Sequence, residues 1–165
     1  MKLIIYNIPY RTGRNVENET LIKLAAFDNI IGVKDSCGNM IQTMELLLNR
    51  PADFSVLTGE DLLFYLNLTL GVDGGILAAS HVETEKFVSM VDAITKNDHQ
   101  SALATWKTVV NLIPLLFKEP NPAPIKYYLA KKGLIESPEV RLPLTEISDS
   151  LKTGAGCLFM THSIP

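Results

Sequence analysis

Four short apolar runs alternate with four helix-like stretches over the first 97 residues, and this alternation restricts the fold more than any other feature of the chain. The apolar runs are KLIIY (2–6), IIGVK (30–34), FSVLTG (54–59) and DGGILAA (73–79). Repeated strand and helix predict βα units around a parallel sheet. The short repeat suits a (β/α) barrel, although an open flavodoxin-like sheet would give a similar pattern.

The helix-like stretches cover residues 16–27, 39–50, 60–71 and 82–97. Asn15 is expected to cap the first of them, and Gly71 to end the third. After Asn97 the strands stop. The pattern then predicts helices over 99–118 and 124–134 and a third that starts near Pro143, whereas the tail from residue 153 has no helical period.

Composition and charge exclude several classes of partner. The chain is 47% hydrophobic and 20% charged, with a net charge of −3, and it contains no run of Lys and Arg that would bind nucleic acid or an anionic membrane. Cys37 and Cys157 are far apart and lack metal-ligand spacing, so we predict no metal site. No uninterrupted apolar stretch is long enough to span a membrane. A reduced, cytoplasmic protein is predicted.

Three polar residues follow the predicted strands. Tyr6 ends the first strand, Lys34 ends the second, and Arg11 lies in the loop YNIPYRTG. Parallel α/β folds bind ligands at the carboxyl ends of their strands. Burial disfavours an ammonium ion and so favours a free amine, which can attack a ketone to form a Schiff base. A nearby tyrosine could relay protons, and an arginine could hold a carboxylate through two parallel hydrogen bonds.

The same residues allow plainer interpretations. Lys34 could pair with Asp35 or Asp61. Tyr6 could be a core aromatic and Arg11 a solvated loop cation. The pattern therefore permits an amine catalyst without establishing one.

Six segments carry a resemblance that covers the chain almost continuously from Leu3 to Leu151. They are YNIPYRTG, IIGVKDSCGN, LTGEDLLF, GVDGGILA, KEPNPAPIKYYLAKKGL and RLPLTEIS. Together they resemble the C-terminal half of the dihydrodipicolinate synthase family. This family belongs to the pyruvate-dependent class I aldolases, which also include N-acetylneuraminate lyase.

The resemblance implies a fold and a set of site residues. The fold is the C-terminal half of a (β/α)₈ TIM barrel, with four βα units, followed by a helical C-terminal domain. Lys34 matches the family's Schiff-base lysine, and Tyr6 its proton-relaying tyrosine. Arg11 matches the arginine that holds the carboxylate of aspartate semialdehyde. Ile76 matches the residue whose backbone carbonyl faces the lysine and tyrosine, and Gly59 matches a position in the pyruvate pocket.

The implied activity is a lyase that condenses pyruvate with aspartate semialdehyde in lysine (diaminopimelate) biosynthesis. A covalent imine on Lys34 would replace any cofactor. Arg11 favours the synthase over N-acetylneuraminate lyase, because the second substrate of the lyase is a sugar. A sister aldolase for 2-keto-3-deoxy sugar acids is the alternative. Glu60 replaces the first acid of the family's G-D-D motif, a conservative change.

Four βα units are present where a closed barrel has eight. We therefore expect a truncated protein, with a half barrel at 1–97, a helical domain at 98–152 and an atypical tail at 153–165. Open sheet edges leave unpaired amides. The chain is thus expected to form a homo-oligomer or to pair with a complementing N-terminal half. A third hypothesis is a non-catalytic half barrel that acts only in assembly.

Overall fold

A computed structural model of the chain describes residues 1–154. Within them, four parallel strands form one sheet in the order β1-β2-β3-β4. The strands are β1 (Leu3–Asn7), β2 (Ile30–Asp35), β3 (Ser55–Thr58) and β4 (Gly74–Gly75). The predicted α/β chain built around a parallel sheet is confirmed. Each strand neighbours the next one along the chain, as in a succession of βα units.

Nine α-helices lie between and after the strands of the described residues. They are α1 (Pro9–Thr12), α2 (Asn18–Leu24), α3 (Met40–Asn49), α4 (Phe64–Leu70), α5 (Thr84–Thr95), α6 (His99–Val109), α7 (Ile113–Leu116), α8 (Ala123–Lys131) and α9 (Asp149–Gly154). Short 3₁₀ turns at Asp61–Leu63 and Ala79–His81 precede α4 and α5. Within residues 1–154, no helix is long and apolar enough to cross a membrane.

The register of the sheet places two of the candidate site residues, Tyr6 and Lys34, side by side. Tyr6 pairs with Lys34, Lys34 with Leu57, and Leu57 with Gly74. Successive side chains of a strand point to opposite faces, so this row shares one face of the sheet. The residues that follow, Asn7 and Asp35, also pair with each other and face the other way.

The core lies between the sheet and the helices. Val33 and Val56 are fully buried. The same apolar cluster continues into the helices after residue 97, so the βα part and the later helices share one core. Buried side chains of this cluster include Leu21, Leu46, Phe54, Phe64, Phe87, Met90, Val109, Leu112, Ile113, Leu116 and Tyr128.

Helix ends follow the sequence in one predicted case and differ in another. Gly71 ends α4 in a left-handed conformation with φ of 98°, as predicted. The prediction for Asn15 is wrong, because Glu17 occupies the cap position of α2. The side-chain amide of Asn15 instead donates to Glu17 Oε1 and Gln42 Oε1, both at 2.9 Å.

The later helices are shorter than their apolar pattern predicts. The helix predicted over 99–118 breaks into α6 and α7, because Pro114 has no N–H to donate to the carbonyl of Val110. No helix starts at Pro143. Instead α9 begins after Ser148, whose hydroxyl accepts from the Leu151 N–H at 3.3 Å in the manner of a helix cap. The non-helical tail was predicted to start at residue 153, but Thr153 and Gly154 belong to α9, and the rest of the tail, from residue 155, lies outside the described residues.

The C-terminal helices are tied to the βα part by charged contacts. The carboxylate of Glu83 accepts from Tyr128 Oη at 3.2 Å and pairs with Lys86 at 3.2 Å and Lys132 at 3.4 Å. Burial alone would raise the pKa of Glu83, but the two ammonium groups hold it below its usual value. This cluster fixes α8 against the start of α5.

Candidate active site

Lys34 and Tyr6 meet at the carboxyl ends of β1 and β2. The Lys34 ammonium lies over the Tyr6 ring, with Nζ 4.0 Å from the ring centroid. This distance gives a cation–π contact, which stabilises a cation by about 0.5–1 kcal/mol at exposed sites. Lys34 is half-buried, whereas 46% of the Tyr6 surface is exposed. The structure therefore brings the two residues together and excludes Tyr6 from the core.

The ion-pair interpretation of Lys34 does not hold in the described part of the chain. None of the ion pairs there involves Lys34. Asp35 is buried with its carboxylate on the opposite face of the sheet, where it binds Asn7 and Thr43. Asp61 accepts from the backbone N–H of Ala79 at 2.6 Å. Both carboxylates proposed as partners are thus engaged elsewhere.

Gly59 lets the chain pass close to Lys34. A Cβ on residue 59 would lie 2.1 Å from Ser36 Oγ and 2.7 Å from Lys34 Cε, closer than atoms can approach. The Gly59 N–H donates to the carbonyl of Asp35 at 2.7 Å, which continues the pairing of β2 with β3. Only glycine fits between these two side chains without displacing one of them.

Arg11 lies in α1, directly after β1 and thus at the same end of the sheet. Its guanidinium is 5.7 Å from the centroid of the Tyr10 ring, and the side chain is exposed. Gly13 ends this short helix with φ of 71°. Arg11 therefore lies near the carboxyl ends of the strands with an exposed side chain, and no ion pair within residues 1–154 involves it.

Ile76 follows β4 at the same end of the sheet. Its backbone N–H donates to the carbonyl of Thr58 at 2.9 Å, so the pairing with β3 extends to this residue. Its side chain is 47% exposed. Tyr6, Lys34, Gly59 and Ile76 thus occupy the ends of four neighbouring strands.

A buried polar cluster on the face of the sheet opposite Lys34 was not predicted from the sequence. Asn7 Nδ2 donates to Asp35 Oδ1 and to Asn15 Oδ1, each at 3.0 Å, and Thr43 Oγ1 donates to Asp35 Oδ2 at 3.1 Å. Gln42 accepts from Asn15 and donates to the carbonyl of Val16. The sequence signal for this cluster is a polar residue directly after each of the candidates Tyr6 and Lys34, because strand alternation turns that residue to the opposite face of the sheet.

The match to known proteins covers nearly the whole chain. The model of the dihydrodipicolinate synthetase family matches residues 1–157. The chain belongs to the dihydrodipicolinate synthetase family. It is 59% identical over 152 residues to 4-hydroxy-tetrahydrodipicolinate synthase 2 of Clostridium acetobutylicum, a match that covers 92% of this chain and 53% of the relative.

Solved structures of the dihydrodipicolinate synthetase family have the same fold. The dihydrodipicolinate synthase of Aquifex aeolicus superposes with a TM-score of 0.94 at 32% identity, over 100% of this chain and 56% of the other. The chloride-inhibited enzyme of Acinetobacter baumannii complexed with pyruvate gives 0.91 at 30% identity, over 97% and 55%. The chain spans about half the length of the relatives it matches.

Two acids, Glu60 and Asp61, follow Gly59 in this dihydrodipicolinate synthetase family member. Burial raises the pKa of the Glu60 carboxyl, and the charges of Asp61 and Asp35 raise it further, while Lys34 opposes them. Burial also raises the pKa of Asp61 against its backbone hydrogen bonds. A pocket of about 310 Å³ adjoins Glu60. Its walls include Tyr10, Gly59, Asp61, Ile113 and Phe117.

The described residues offer no metal centre to this family member. Within residues 1–154, no group of three or more His, Cys, Asp or Glu side chains is placed to hold a metal ion. Burial is the main reason that the pKa of Cys37 rises to about 12, and a protonated thiol is a poor ligand. Cys157 lies outside the described residues.

Proposed function

We propose that this chain supplies the Schiff-base centre of a lyase that condenses pyruvate with aspartate semialdehyde, the 4-hydroxy-tetrahydrodipicolinate synthase reaction of lysine (diaminopimelate) biosynthesis. One observation carries the proposal: the Lys34 ammonium lies 4.0 Å from the centroid of the Tyr6 ring on the neighbouring strand. The activities for which the family relatives are named support the choice of reaction.

Lys34 is the proposed nucleophile. Its free amine attacks C2 of pyruvate, and loss of water leaves a protonated imine. This cation withdraws electrons from C3, so a C3 proton can leave and the resulting carbanion can attack the aldehyde. The covalent imine acts as the electron sink, and the proposal needs no metal or organic cofactor. Tyr6, one strand away, is the proposed proton carrier.

The other site residues are assigned to binding. Arg11 is proposed to hold the carboxylate of aspartate semialdehyde through its paired N–H groups. Gly59 and Ile76 are proposed to line the pyruvate pocket, Gly59 through its lack of a side chain and Ile76 through its backbone carbonyl. Their positions at neighbouring strand ends support this assignment.

The chain is proposed to act within a larger assembly in the cytoplasm. In the described sheet, β1 pairs on one side alone, and Leu3 and Ile4 are 40% and 45% exposed. Such an edge favours pairing with more chain, either a second copy or a complementing N-terminal half. The same exposed edge favours a second candidate function, a half barrel that acts only in assembly. In the chain as a whole, residues 1–97 are proposed as a half-barrel domain and residues 98–152 as a helical domain that packs on the same core.

The direct test is intact-mass analysis of the purified chain after incubation with pyruvate and borohydride. We expect a pyruvate-derived mass that peptide mapping places on Lys34, because borohydride reduces a protonated imine to a stable amine. Sialic acid and 2-keto-3-deoxygluconate, tested in parallel, should give no turnover, since a sister aldolase would cleave them. A folded chain that gains no mass from pyruvate would contradict the proposed chemistry and leave the assembly function.

Arg11→Ala should spare the pyruvate adduct and weaken use of the second substrate. A hydrogen bond to a charged group contributes about 1.5–3 kcal/mol, so we expect the KM for aspartate semialdehyde to rise by about ten- to hundredfold. Steady-state kinetics of the condensation would measure it. Arg14→Ala, three residues further on, is the matched control and should behave as the wild type. Equal KM values for Arg11→Ala and Arg14→Ala would remove Arg11 from the site.

A further inference from the structure

Ser36 holds a buried hydroxyl for which the described residues provide no hydrogen-bond partner. The side chain is 1% exposed, and its Oγ is unpaired. Ser36 comes two residues after Lys34, and its backbone N–H donates to the carbonyl of Asn7 at 2.8 Å. It therefore continues β2 and faces the same side as Lys34. Burying a hydroxyl without a partner is unfavourable, and the unpaired oxygen remains available to accept a hydrogen bond from a bound group.

The hydroxyl lies beside the end of the Lys34 side chain. A Cβ built on Gly59 would lie 2.1 Å from Ser36 Oγ and 2.7 Å from Lys34 Cε, so these two atoms flank the same small space. Lys34 Nζ, one bond beyond Cε, lies over the Tyr6 ring. Rotation about the Cδ–Cε bond moves Nζ and leaves Cε in place. The unpaired oxygen thus lies close to the carbon that carries the proposed nucleophile.

We propose that Ser36 Oγ accepts a hydrogen bond from the N–H of the protonated imine that Lys34 forms with a 2-oxo acid. The inference rests on the proposed function and adds a group to it. A hydrogen bond made by the charged form of a titrating group, here the protonated imine, stabilises that form. Ser36 thereby keeps the imine protonated, which is the state that withdraws electrons from the neighbouring carbon.

The proton count identifies the N–H group that donates a hydrogen bond to Ser36. The Lys34 amine brings two hydrogens to C2 of the 2-oxo acid. The nitrogen–carbon bond forms, and the carbonyl oxygen leaves as water with one of these hydrogens and one proton from solution. The second hydrogen stays on the imine nitrogen, which then carries the positive charge. This N–H is a donor, and the Ser36 oxygen supplies the lone pair.

The test compares the pH dependence of borohydride-trapped pyruvate on Lys34 in the full 165-residue chain and its variants. Without the acceptor, the imine loses its proton at lower pH. We therefore expect the pH of half-maximal trapping to fall by about one unit in Ser36→Ala. Ser36→Thr retains the oxygen and should retain the wild-type profile. Ser89→Ala is the control, since that exposed hydroxyl donates only to the carbonyl of Lys86, at 2.9 Å.

Thermal unfolding separates this role from a structural one. Removing an unpaired buried hydroxyl should leave the unfolding midpoint of Ser36→Ala unchanged or raised, while its trapping profile shifts. A lowered midpoint would show that the hydroxyl has a structural partner and would overturn the inference. Identical trapping profiles for the wild type and Ser36→Ala would also overturn it. Absence of any adduct in the wild type would instead contradict the proposed function, a result distinct from both.

Discussion

Replacement of Lys34 by alanine is expected to abolish the pyruvate-derived mass that borohydride traps on the wild type. The imine requires the Nζ atom, and within residues 1–154 Lys34 is the lysine that lies over the Tyr6 ring. No neighbouring group can replace an amine in this step, so the loss should be complete. Intact mass and peptide mapping would measure it, with circular dichroism to confirm that the variant is folded.

Two further variants separate amine chemistry from charge and from non-specific labelling. Lys34→Arg keeps a cation that can lie over the Tyr6 ring, but a guanidinium stays protonated and does not form the imine. We expect it to fold as the wild type and to trap nothing. Lys107→Ala removes an exposed lysine of α6 and should trap pyruvate normally. Trapping that survives in Lys34→Ala would refute the assignment of the nucleophile.

Gly59→Ala is expected to have the second-largest effect, although alanine adds only one methyl group. That methyl would lie 2.1 Å from Ser36 Oγ and 2.7 Å from Lys34 Cε. Both side chains must move, and the reactive nitrogen moves with Cε. Misplacement by about 1 Å can slow a reaction about a hundredfold, so we expect imine formation to slow by that order. Quenching with borohydride at a series of times would give the rate.

The control for Gly59→Ala is a glycine that is crowded, less closely, by side chains of the apolar core. A Cβ on Gly75 would lie 3.0 Å from Leu77 Cγ and 3.0 Å from Phe64 Cε2, away from Lys34. Gly75→Ala should lower the free energy of unfolding by about 1–3 kcal/mol and trap pyruvate at the wild-type rate. If both glycine variants trap pyruvate at the wild-type rate, the close packing around Lys34 has no role in the chemistry.

The order of strands and helices could be predicted from the sequence because it depends on local patterns. Apolar runs and their spacing indicated four βα units, and Gly71 marked the end of α4. The later helices were predicted less well. The break before Pro114 follows from a missing N–H, but the position of α9 depends on Glu119, 29 residues away, which accepts from the Ser148 N–H at 2.9 Å. Such a contact has no local signature.

The site was predictable only in part, and for a similar reason. Strand ends and family resemblance identified Tyr6 and Lys34, and the observed register places them side by side. The roles of Lys34, Tyr6, Arg11, Gly59 and Ile76 all stay predictions. Asn7 and Ser36 were not singled out, because the presence or absence of hydrogen-bond partners around a polar group can be seen only in the folded structure. Asp35 was one of two carboxylates considered as possible partners of Lys34, yet it faces the opposite side of the sheet.

The buried cluster around Asp35 has a consequence for misfolding. Lys34 and Asp35 are adjacent, so a shift of β2 by one residue against β1 would exchange their faces. A carboxylate would then enter the reactive site, and an ammonium would be buried among the helices without the hydrogen bonds that Asn7 and Thr43 now give to Asp35. That slipped chain would lose several buried hydrogen bonds at once. The cluster therefore favours the correct strand register. The pairing that places Lys34 on the site face is also the pairing in which Asp35 keeps its hydrogen bonds to Asn7 and Thr43.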